Sequence, residues 1–409
     1  MIDVLIVGGG PTGLMAADHL SSRGLSVTIV DRMRSPARKF LLAGRGGLNL
    51  THSEDTERFV SRYREAEEFL TPHVKMFSPQ DLRAWCDDLG QETFIGTSGR
   101  VFPKAMKSSP MLRALLARLA ERGVVLHSGL TLRGIDENRH MMFENADGDV
   151  QELTAKTVML ALGGASWPRL GSDGHWTDFL SAHDIQVSPL RPSNCGFLVN
   201  WSQHLTDKHA GAPLKRLSLS LGDHTAVGEA ILSEKGIEGG AVYALSADIR
   251  DQLDAAGQAE LTLDLKPDIP AEKLTERLAE PRRKQSTSTF LRKAVGLTPA
   301  QIALLREAGP LPLAADELTA RIKSLKISTR SPYDIDRAIS SAGGITLDEV
   351  SEDMMLKKLS GVFVAGEMLD WEAPTGGYLL HACFATGIAA AKGIEAYLQP
   401  TQDTQGSTK

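Results

Sequence analysis

The chain has 409 residues, enough for two or three domains with hydrophobic cores of their own. Hydrophobic residues make up 42% and charged residues 23%, a composition typical of ordinary globular proteins and not of disordered or fibrous ones. The net charge of −6 argues against a general nucleic-acid-binding protein. The three cysteines, Cys86, Cys195 and Cys383, form no CxxC pair, which indicates reduced cytoplasmic thiols and argues against disulfide-reductase chemistry.

The first thirty residues predict a strand, a glycine-rich turn, a helix and a second strand that ends at Asp31. Gly8 permits the tight turn, Gly10 lets the backbone approach a pyrophosphate, and Gly13 allows the helix to pack on the strand. The start of the helix offers free N–H groups to a diphosphate, and Asp31 can accept hydrogen bonds from an adenosine ribose. This stretch predicts a dinucleotide site, but it does not decide between FAD and NAD.

A glycine-rich loop at residues 40–52 follows, and its polar side chains are Arg45, Asn49, Thr51 and His52. Such a loop is costly to order unless something docks on it, so it is a candidate ligand-binding segment. The alternative is an ordinary surface loop. Farther along, residues 54–70 predict one charged amphipathic helix, and Ser78 followed by Pro79 and Asp81 predicts the capped start of another.

Between Val124 and Gly164 the pattern changes to short strands separated by turn residues. It ends in two predicted strands, Gln151–Leu153 and a buried one from Thr157 that runs into Gly163. A helix followed by such a meander is typical of the second half of a dinucleotide-binding domain, in which the meander covers the adenosine end.

At about residue 189 the α/β pattern stops, and residues 189–345 predict an inserted, substrate-facing domain. It is expected to be β-rich over 189–268, with Ala241–Leu245 as one of its strands, and helical over 269–328. The basic run Arg282–Lys284 within it is predicted to be a solvated helical face, so no nucleic-acid partner is expected.

The nucleotide-binding pattern returns over residues 346–398, where a strand ends at Gly366-Glu367 and an apolar helix follows Gly376-Gly377. NAD needs no such distant segment, whereas the ribityl chain and ring system of FAD extend well beyond the pyrophosphate and do. We therefore predict FAD, with Glu367 or Asp370 accepting hydrogen bonds from its hydroxyls and the helix start facing the flavin. Polar residues interrupt the apolar helix, so no membrane span is expected, and residues 399–409 are predicted to be a disordered tail.

These motifs together resemble the bacterial BaiN-like flavoproteins, which are FAD-dependent oxidoreductases distantly similar to fumarate reductase flavoproteins and aspartate oxidase. The segments that carry the resemblance are the clamp ending at Asp31, Lys39–Thr51, Gly99–Pro103, Leu162–Ser172, Ser341–Thr346 and Ala365–Tyr378. The resemblance implies an α/β protein with a Rossmann-like FAD-binding domain of the glutathione-reductase type, formed by residues 1–188 and 346–398 around the insert. The chain departs from the family pattern at Arg45 to Asn49 and at Leu379 to His381.

The motifs and the resemblance together give a set of predicted FAD contacts. They are Gly8, Gly10, Pro11, Thr12, Gly13, Asp31, Arg32, Gly44, Asn49, Leu50, Thr51, Leu132, Ala161, Gly163, Gly366, Glu367, Asp370, Gly376, Gly377, Tyr378 and Leu379.

A flavin reaction that moves a proton needs an acid or base, and His381, one turn into the last helix, is the candidate. His381 could equally be a buried structural histidine that bonds to a backbone carbonyl. Arg45 is a second candidate, because its guanidinium group could bind a substrate carboxylate. No metal site is predicted.

The leading functional hypothesis is an FAD-dependent oxidoreductase acting on a small organic substrate, with NAD(P)H as a transient reductant. The alternatives are a flavoenzyme that modifies RNA and a non-catalytic flavin-binding redox sensor.

Overall fold

The structure is a computed structural model that describes residues 1–136 and 139–399. Within these ranges, only the backbone of Arg45 is described. The chain divides into two compact units. One contains residues 1–191 and the described residues from 340 onwards, and the other is the insert, residues 192–339. Among the described residues, no helix has the length and apolar character needed to cross a membrane.

The strands are β1 Ile2–Val7, β2 Val27–Asp31, β3 Thr51–His52, β4 Thr93–Ile95, β5 Arg100–Pro103, β6 Val125–Ser128, β7 Thr131–Ile135, β8 His140–Glu144, β9 Val150–Leu160, β10 Val187–Ser193, β11 Phe197–Leu198, β12 Ala212–Leu221, β13 His224–Leu232, β14 Gly236–Glu238, β15 Ala259–Asp264, β16 Leu325–Thr329, β17 Ser340–Ile345 and β18 Val362–Val364. The helices are α1 Pro11–Ser22, α2 Arg38–Ala43, α3 Thr56–Ser61, α4 Glu67–Met76, α5 Pro79–Asp88, α6 Ser108–Glu121, α7 Trp176–Ser181, α8 Gln203–His209, α9 Gly240–Ala244, α10 Ser246–Ala256, α11 Ala271–Ala279, α12 Thr287–Val295, α13 Pro299–Glu307, α14 Ala315–Lys323 and α15 Tyr378–Leu398.

The first unit is built on a sheet with a parallel core in the order β6-β2-β1-β9, with β18 also paired to β9. The second half of β9 lies between β1 and β18, and its first half pairs antiparallel with the meander strand β8. The two strands predicted at 151–153 and from 157 are therefore one long strand. The carboxyl ends of β1, β9 and β18 lie side by side, which is where α/β sheets bind their ligands.

Helices α1 and α15 pack together against this sheet. Gly387 in α15 permits the contact, because a Cβ atom there would lie 2.7 Å from the carbonyl oxygen of Thr12. Fourteen residues of α15 are buried, which explains why its sequence is apolar on nearly every side.

Two helix predictions in this unit had different outcomes. The helix expected over residues 54–70 is broken into α3, a short turn at 64–66 and α4, with Arg64 at a positive φ of 53°. The start of α5 is confirmed, because the Ser78 side chain accepts from the N–H of Asp81 and the Asp81 side chain accepts from the N–H of Ser78.

The insert contains a six-stranded antiparallel sheet in the order β11-β14-β13-β12-β15-β16 and the helices α8 to α14. Its core is formed by inward-facing leucines such as Leu219 and Leu261. The prediction of a strand at Ala241–Leu245 is wrong, because Ala241 to Ala244 belong to helix α9 and Leu245 is the residue that ends it. The buried residues Ala241, Val242 and Leu245 recur at helical spacing and not alternately.

Candidate functional site

The turn between β1 and α1 contains three glycines with different surroundings. A Cβ atom on Gly8, which has φ +111°, would lie 2.2 Å from the carbonyl oxygen of Ala161. A Cβ atom on Gly13 would lie 2.1 Å from the carbonyl oxygen of Gly8, whereas one on Gly10 would have no neighbour within 4 Å among the described atoms. Gly8 and Gly13 are therefore required by packing, and the space beside Gly10 is open to a ligand.

Helix α1 starts at this turn with its first N–H groups free of side-chain caps. Gly10 precedes the helix, Pro11 occupies its first position, and within the described chain its first turn carries no acid. Free N–H groups and the positive end of the helix dipole together favour a bound anion.

A cavity of about 340 Å³ lies beside the start of α1, and we call it the nucleotide cavity. Ten of the predicted cofactor residues line it: Gly8, Gly10, Pro11, Thr12, Asp31, Arg32, Leu132, Ala161, Gly163 and Glu367. They come from the ends of β1, β2, β9 and β18 and from the meander, so the topology brings together residues that are far apart in sequence. Gly13 is absent from the wall because its role is the packing of α1 against β1.

Asp31 at the end of β2 holds the turn together as well as lining the cavity. Its Oδ2 accepts from the N–H of Gly9 at 2.8 Å and its Oδ1 from the N–H of Met33 at 2.7 Å. Burial raises the pKa of this carboxyl group. Each carboxylate oxygen has a second lone pair, so Asp31 can still accept from a ribose hydroxyl. Its neighbour Arg32 forms an ion pair with Asp173.

Lys39 in the first turn of α2 also lines the cavity, and it is absent from the predicted set. Its Nζ lies 2.7 and 3.0 Å from the two carboxylate oxygens of Glu367 and 2.5 Å from the Oγ of Ser166. A lysine in the first turn of a helix opposes the helix dipole. That unfavourable position is the sequence signal that could have marked Lys39 as a site residue.

Two further wall residues fix the glycines after β9. The Trp176 indole N–H donates to the carbonyl of Gly163 at 2.9 Å, and the Ser172 hydroxyl donates to the carbonyl of Gly164 at 2.9 Å. These side chains hold the chain in the tight turn at Gly163, which has φ +70°. No local sequence pattern predicts these roles of Trp176 and Ser172, because both side chains bond to backbone atoms of a different segment.

The residues predicted at the flavin end lie outside the wall of the nucleotide cavity, although two of their segments meet. A Cβ atom on Gly377, with φ +94°, would lie 2.6 Å from the backbone N and Cα of Thr51. The side-chain oxygens Oδ1 of Asn49 and Oγ1 of Thr51 are buried and have no hydrogen-bond partner among the described residues. Buried polar atoms without partners are uncommon, and they indicate a group that the site is built to bind.

The other predicted contacts have structural partners. Gly44 and Gly366 pack closely, since a Cβ atom on either would lie 2.3 Å from the Oγ of Ser108 or the Oγ1 of Thr12. Asp370 accepts from the Ser188 hydroxyl at 2.5 Å and does not line the nucleotide cavity, so between the two acids Glu367 is the one placed to contact a ligand there.

Three more of the predicted contacts also have structural roles. Leu50 is fully buried, Leu379 packs on the core, and Gly376 adopts φ +146° before α15.

The side chain of Tyr378 lies in a cluster with Glu54, Arg62 and His52, which we call the Tyr378 cluster. The tyrosine hydroxyl donates to Oε1 of Glu54 at 2.6 Å, and Arg62 donates to both oxygens of Glu54 at 3.2 and 3.0 Å. Burial and the neighbouring Glu54 raise the pKa of Tyr378. Although burial opposes it, hydrogen bonds from Arg62 and Tyr378 lower the pKa of Glu54, so the acid is ionised. The His52 ring stacks on Tyr378 at 5.5 Å.

The catalytic candidate His381 is not among the described residues that line the nucleotide cavity. His381 has no exposed surface, its Nε2 bonds to the carbonyl of Phe77 at 2.9 Å, and its ring packs on Phe59 and Phe77. Burial lowers its pKa to about 4, so the ring is neutral, and its Nδ1 is buried with no hydrogen-bond partner among the described residues. The contact with Phe77 agrees with the structural interpretation, and the catalytic role stays a prediction. The side chain of Arg45 lies outside the described part of the structure.

The comparisons with known proteins agree with this architecture. Residues 2–393 match the family described as HI0933-like protein Rossmann domain, and the chain therefore belongs to that family. The curated 3-dehydro-bile acid delta(4,6)-reductase of Clostridium scindens is 25% identical, over 95% of this chain and 97% of its own length.

Two other proteins are similar at lower identity. The ribosomal RNA dihydrouridine synthase of Haemophilus influenzae is 23% identical over 95% of this chain and 98% of its own length. The crystal structure of the 3-ketosteroid delta1-dehydrogenase of Sterolibacterium denitrificans superposes with a TM-score of 0.55 at 13% identity, covering 96% of this chain and 99% of that one. At this identity the superposition shows a shared fold.

The predicted Rossmann-like FAD-binding fold and the family resemblance are confirmed by the family match and the sheet order. The residues present fit FAD. The open space beside Gly10 and the uncapped start of α1 suit a diphosphate, and the buried unpartnered oxygens of Asn49 and Thr51 suit a polar ring system.

Proposed function

We propose that this member of the HI0933-like family is an FAD-dependent oxidoreductase that acts on a small organic substrate. FAD supplies hydride or electron transfer when it is bound, and the protein binds, orients and tunes it. The observation that carries the proposal is the nucleotide cavity, in which the wall around Gly10, Asp31 and Glu367 is assembled from three parallel strands next to an uncapped helix start.

The flavin end is proposed to lie where Thr51 meets Gly377. The two segments are held there by the Tyr378 cluster, whose Glu54 belongs to the loop after β3 and whose Tyr378 begins α15. The unpartnered oxygens of Asn49 and Thr51 then supply polar contacts for the ring. Because the helix start at Gly377 favours negative charge, it stabilises a reduced, anionic ring.

The substrate class is proposed from the relatives. The chain aligns along nearly its whole length with a reductase named for a dehydrogenated bile acid, and it shares its fold with a ketosteroid dehydrogenase. Both names describe an apolar ring ketone, so we propose reduction or dehydrogenation next to a carbonyl group, with NAD(P)H as the reductant. The three cysteines are buried and free, which supports a cytoplasmic location.

The first test is an absorption spectrum of the purified chain, followed by anaerobic titration with NADH and NADPH. We expect flavin bands, and bleaching of the bands by one of the two nucleotides identifies the reductant. A chain that is colourless and gains no flavin bands when incubated with FAD would contradict the proposal. Bound FAD that no donor or ring ketone turns over favours the redox-sensor alternative.

RNA modification is the second candidate, and a specific charge pattern favours it. Five exposed cations and no acid lie between residues 281 and 300: Arg282, Arg283, Lys284, Arg292 and Lys293. Arg282 to Lys284 lie in the turn between α11 and α12 and not on a helical face as predicted, whereas Arg292 and Lys293 lie on α12. A cluster of exposed cations suits a phosphate backbone, and one relative is named as a ribosomal RNA dihydrouridine synthase.

The two candidates differ in what the cations do. If the substrate is RNA, changing Arg282, Arg283 and Lys284 to Gln reduces binding to ribosomal RNA and lowers its salt dependence. If the substrate is a small molecule, the triple variant turns over a ring ketone as the wild type does. Changing the exposed Lys208, Lys215 and Lys273 of the same unit to Gln removes equal charge elsewhere and serves as the control.

A further inference from the structure

We propose that Lys39 binds the diphosphate of the cofactor and that Glu367 holds this lysine in place. This inference rests on the proposed FAD function and adds a residue to its site. It assigns the positive charge at the diphosphate to a side chain of α2, in addition to the backbone N–H groups of α1.

The lysine is fixed by three contacts at the wall of the nucleotide cavity. Its ammonium group bonds to both oxygens of Glu367 and to the Ser166 hydroxyl. The Glu367 side chain is only 8% exposed and that of Lys39 24% exposed. Glu367 is itself anchored, because its Oε1 also accepts from the N–H of Ser341 at 3.0 Å. A buried acid in this position requires a cation, and the cation is held with little freedom.

The pair lies next to the start of α1. Glu367 follows Gly366, which packs so closely on Thr12 that a Cβ atom would lie 2.3 Å from the threonine Oγ1. Thr12, Lys39 and Glu367 all line the nucleotide cavity. Thr12 is in the first turn of α1, so Lys39 shares the cavity wall with the helix start whose N–H groups favour an anion.

The other cations of the wall are less suited to this role. Arg32 is paired with Asp173, and Arg133 is paired with Glu144 at 2.7 Å. Arg38 is exposed on the first turn of α2. Lys39 is thus the wall cation that is both half-buried and held beside α1.

The arrangement predicts that changes at Lys39 and at Glu367 have different effects on the affinity for a diphosphate. A diphosphate competes with Glu367 for the lysine, and the two anions repel each other. Removing the charge of Lys39 therefore weakens diphosphate binding. Glu367→Gln keeps a side-chain oxygen that accepts from the lysine and removes only the competing charge, so it leaves diphosphate binding equal or tighter. Both effects disappear with adenosine, which has no phosphate.

The experiment is calorimetric titration of the full-length chain, stripped of flavin and checked for folding by circular dichroism, with ADP and adenosine. We expect Lys39→Met to weaken ADP binding about tenfold or more, because a charge-assisted hydrogen bond is lost, and to leave adenosine binding within about twofold. Arg34→Met makes the same charge change on an exposed residue that is not among the described wall residues, and it should leave both affinities within about twofold. Glu367→Gln should bind ADP at least as tightly as the wild type.

Equal weakening of ADP and adenosine by Lys39→Met would overturn the inference, as would a loss of ADP binding in Glu367→Gln. If Lys39→Met does not fold, the double variant Lys39→Met/Glu367→Gln removes both buried charges and is tested against Glu367→Gln alone. A wild-type chain that binds neither ADP nor FAD contradicts the proposed function itself, whereas ADP binding that is indifferent to Lys39 contradicts only this inference.

Discussion

The nucleotide half of the site and its flavin half are built in different ways. The nucleotide half depends on main-chain approaches, such as that of Gly13 to the carbonyl of Gly8 and that of Gly8 to Ala161. The proposed flavin half combines one such approach, that of Gly377 to the backbone of Thr51, with side-chain contacts. Its side chains Tyr378, Glu54 and Arg62 connect the loop after β3 to the start of α15. A site built by close approach of the backbone requires glycines at fixed spacing in the sequence. A site built by side chains requires residues that are far apart in the sequence to meet in the fold.

The difference predicts which substitutions damage the fold and which damage only binding. In the nucleotide half, a side chain placed at a packed glycine should unfold the protein, while one placed at an open glycine should block the ligand. In the flavin half, most single changes should loosen the connection between two segments without unfolding the sheet.

Gly13→Val and Gly10→Val give the largest contrast. Valine at position 13 collides with the carbonyl of Gly8, for which we expect a loss of about 4 kcal/mol or more in the free energy of unfolding. The Cβ atom of a valine at position 10 meets no described atom within 4 Å, so the chain should fold normally and yet retain no FAD. Thermal unfolding and the absorption spectrum separate the two effects. A yellow Gly10→Val variant with full flavin occupancy contradicts the assignment of the cavity.

The same contrast explains how much of the molecule could be predicted from the sequence. The β1–α1 turn, Asp31 and the FAD-binding fold follow from glycine spacing and from a strand ending in an acid, which are local patterns. The helix at Ala241–Leu245 was mistaken for a strand because a short apolar run fits both periods. The contact of Lys39 with Glu367 and that of His381 with Phe77 could not be predicted from local patterns, since the partner of each lies about 300 residues away.

Gly377→Ala tests the contact between the two flavin-end segments. The residue has φ +94° and an alanine Cβ would lie 2.6 Å from the backbone of Thr51, so we expect a loss of about 3 to 4 kcal/mol. The flavin spectrum should change as the start of α15 moves, while ADP still binds. Gly24→Ala is the control, since its φ is +78° but no described atom lies within 4 Å, and it should lose only about 1 kcal/mol. Equal losses in the two variants would mean that Thr51 does not constrain Gly377.

The protonation of His381 gives a third, pH-dependent test. Burial lowers its pKa from 6.5 to about 4, with Asp81 the only charged group that opposes this shift among the described residues. The neutral ring stabilises the fold fully above about pH 6.5, and this stability is lost as the pH falls towards 4, because only the unfolded chain binds the proton readily. The loss at pH 4 should reach up to about 3 kcal/mol.

Denaturant unfolding at pH 7 and pH 4.5 measures this dependence. His381→Gln keeps a donor for the carbonyl of Phe77 and removes the titrating group, so its stability should fall less over the same interval. The variant should also keep its turnover, since the His381 ring has no exposed surface and bonds to the carbonyl of Phe77. Loss of turnover with unchanged stability would restore the catalytic interpretation of His381.

The smallest expected effect is in the Tyr378 cluster, and it shows whether side chains rather than backbone order the flavin half. Glu54→Gln keeps the shape of the acid but removes the charge that Tyr378 and Arg62 share, for which we expect a loss of about 1 to 2 kcal/mol. Tyr378→Phe removes only the hydroxyl and should cost less. The smaller loss follows because Glu54 remains paired with Arg62 in Tyr378→Phe. The Tyr378 hydroxyl and Glu54 act as a pair, so the double variant should lose little more than Glu54→Gln alone. A flavin spectrum and affinity unchanged in all three variants would mean that the glycines order both halves of the site.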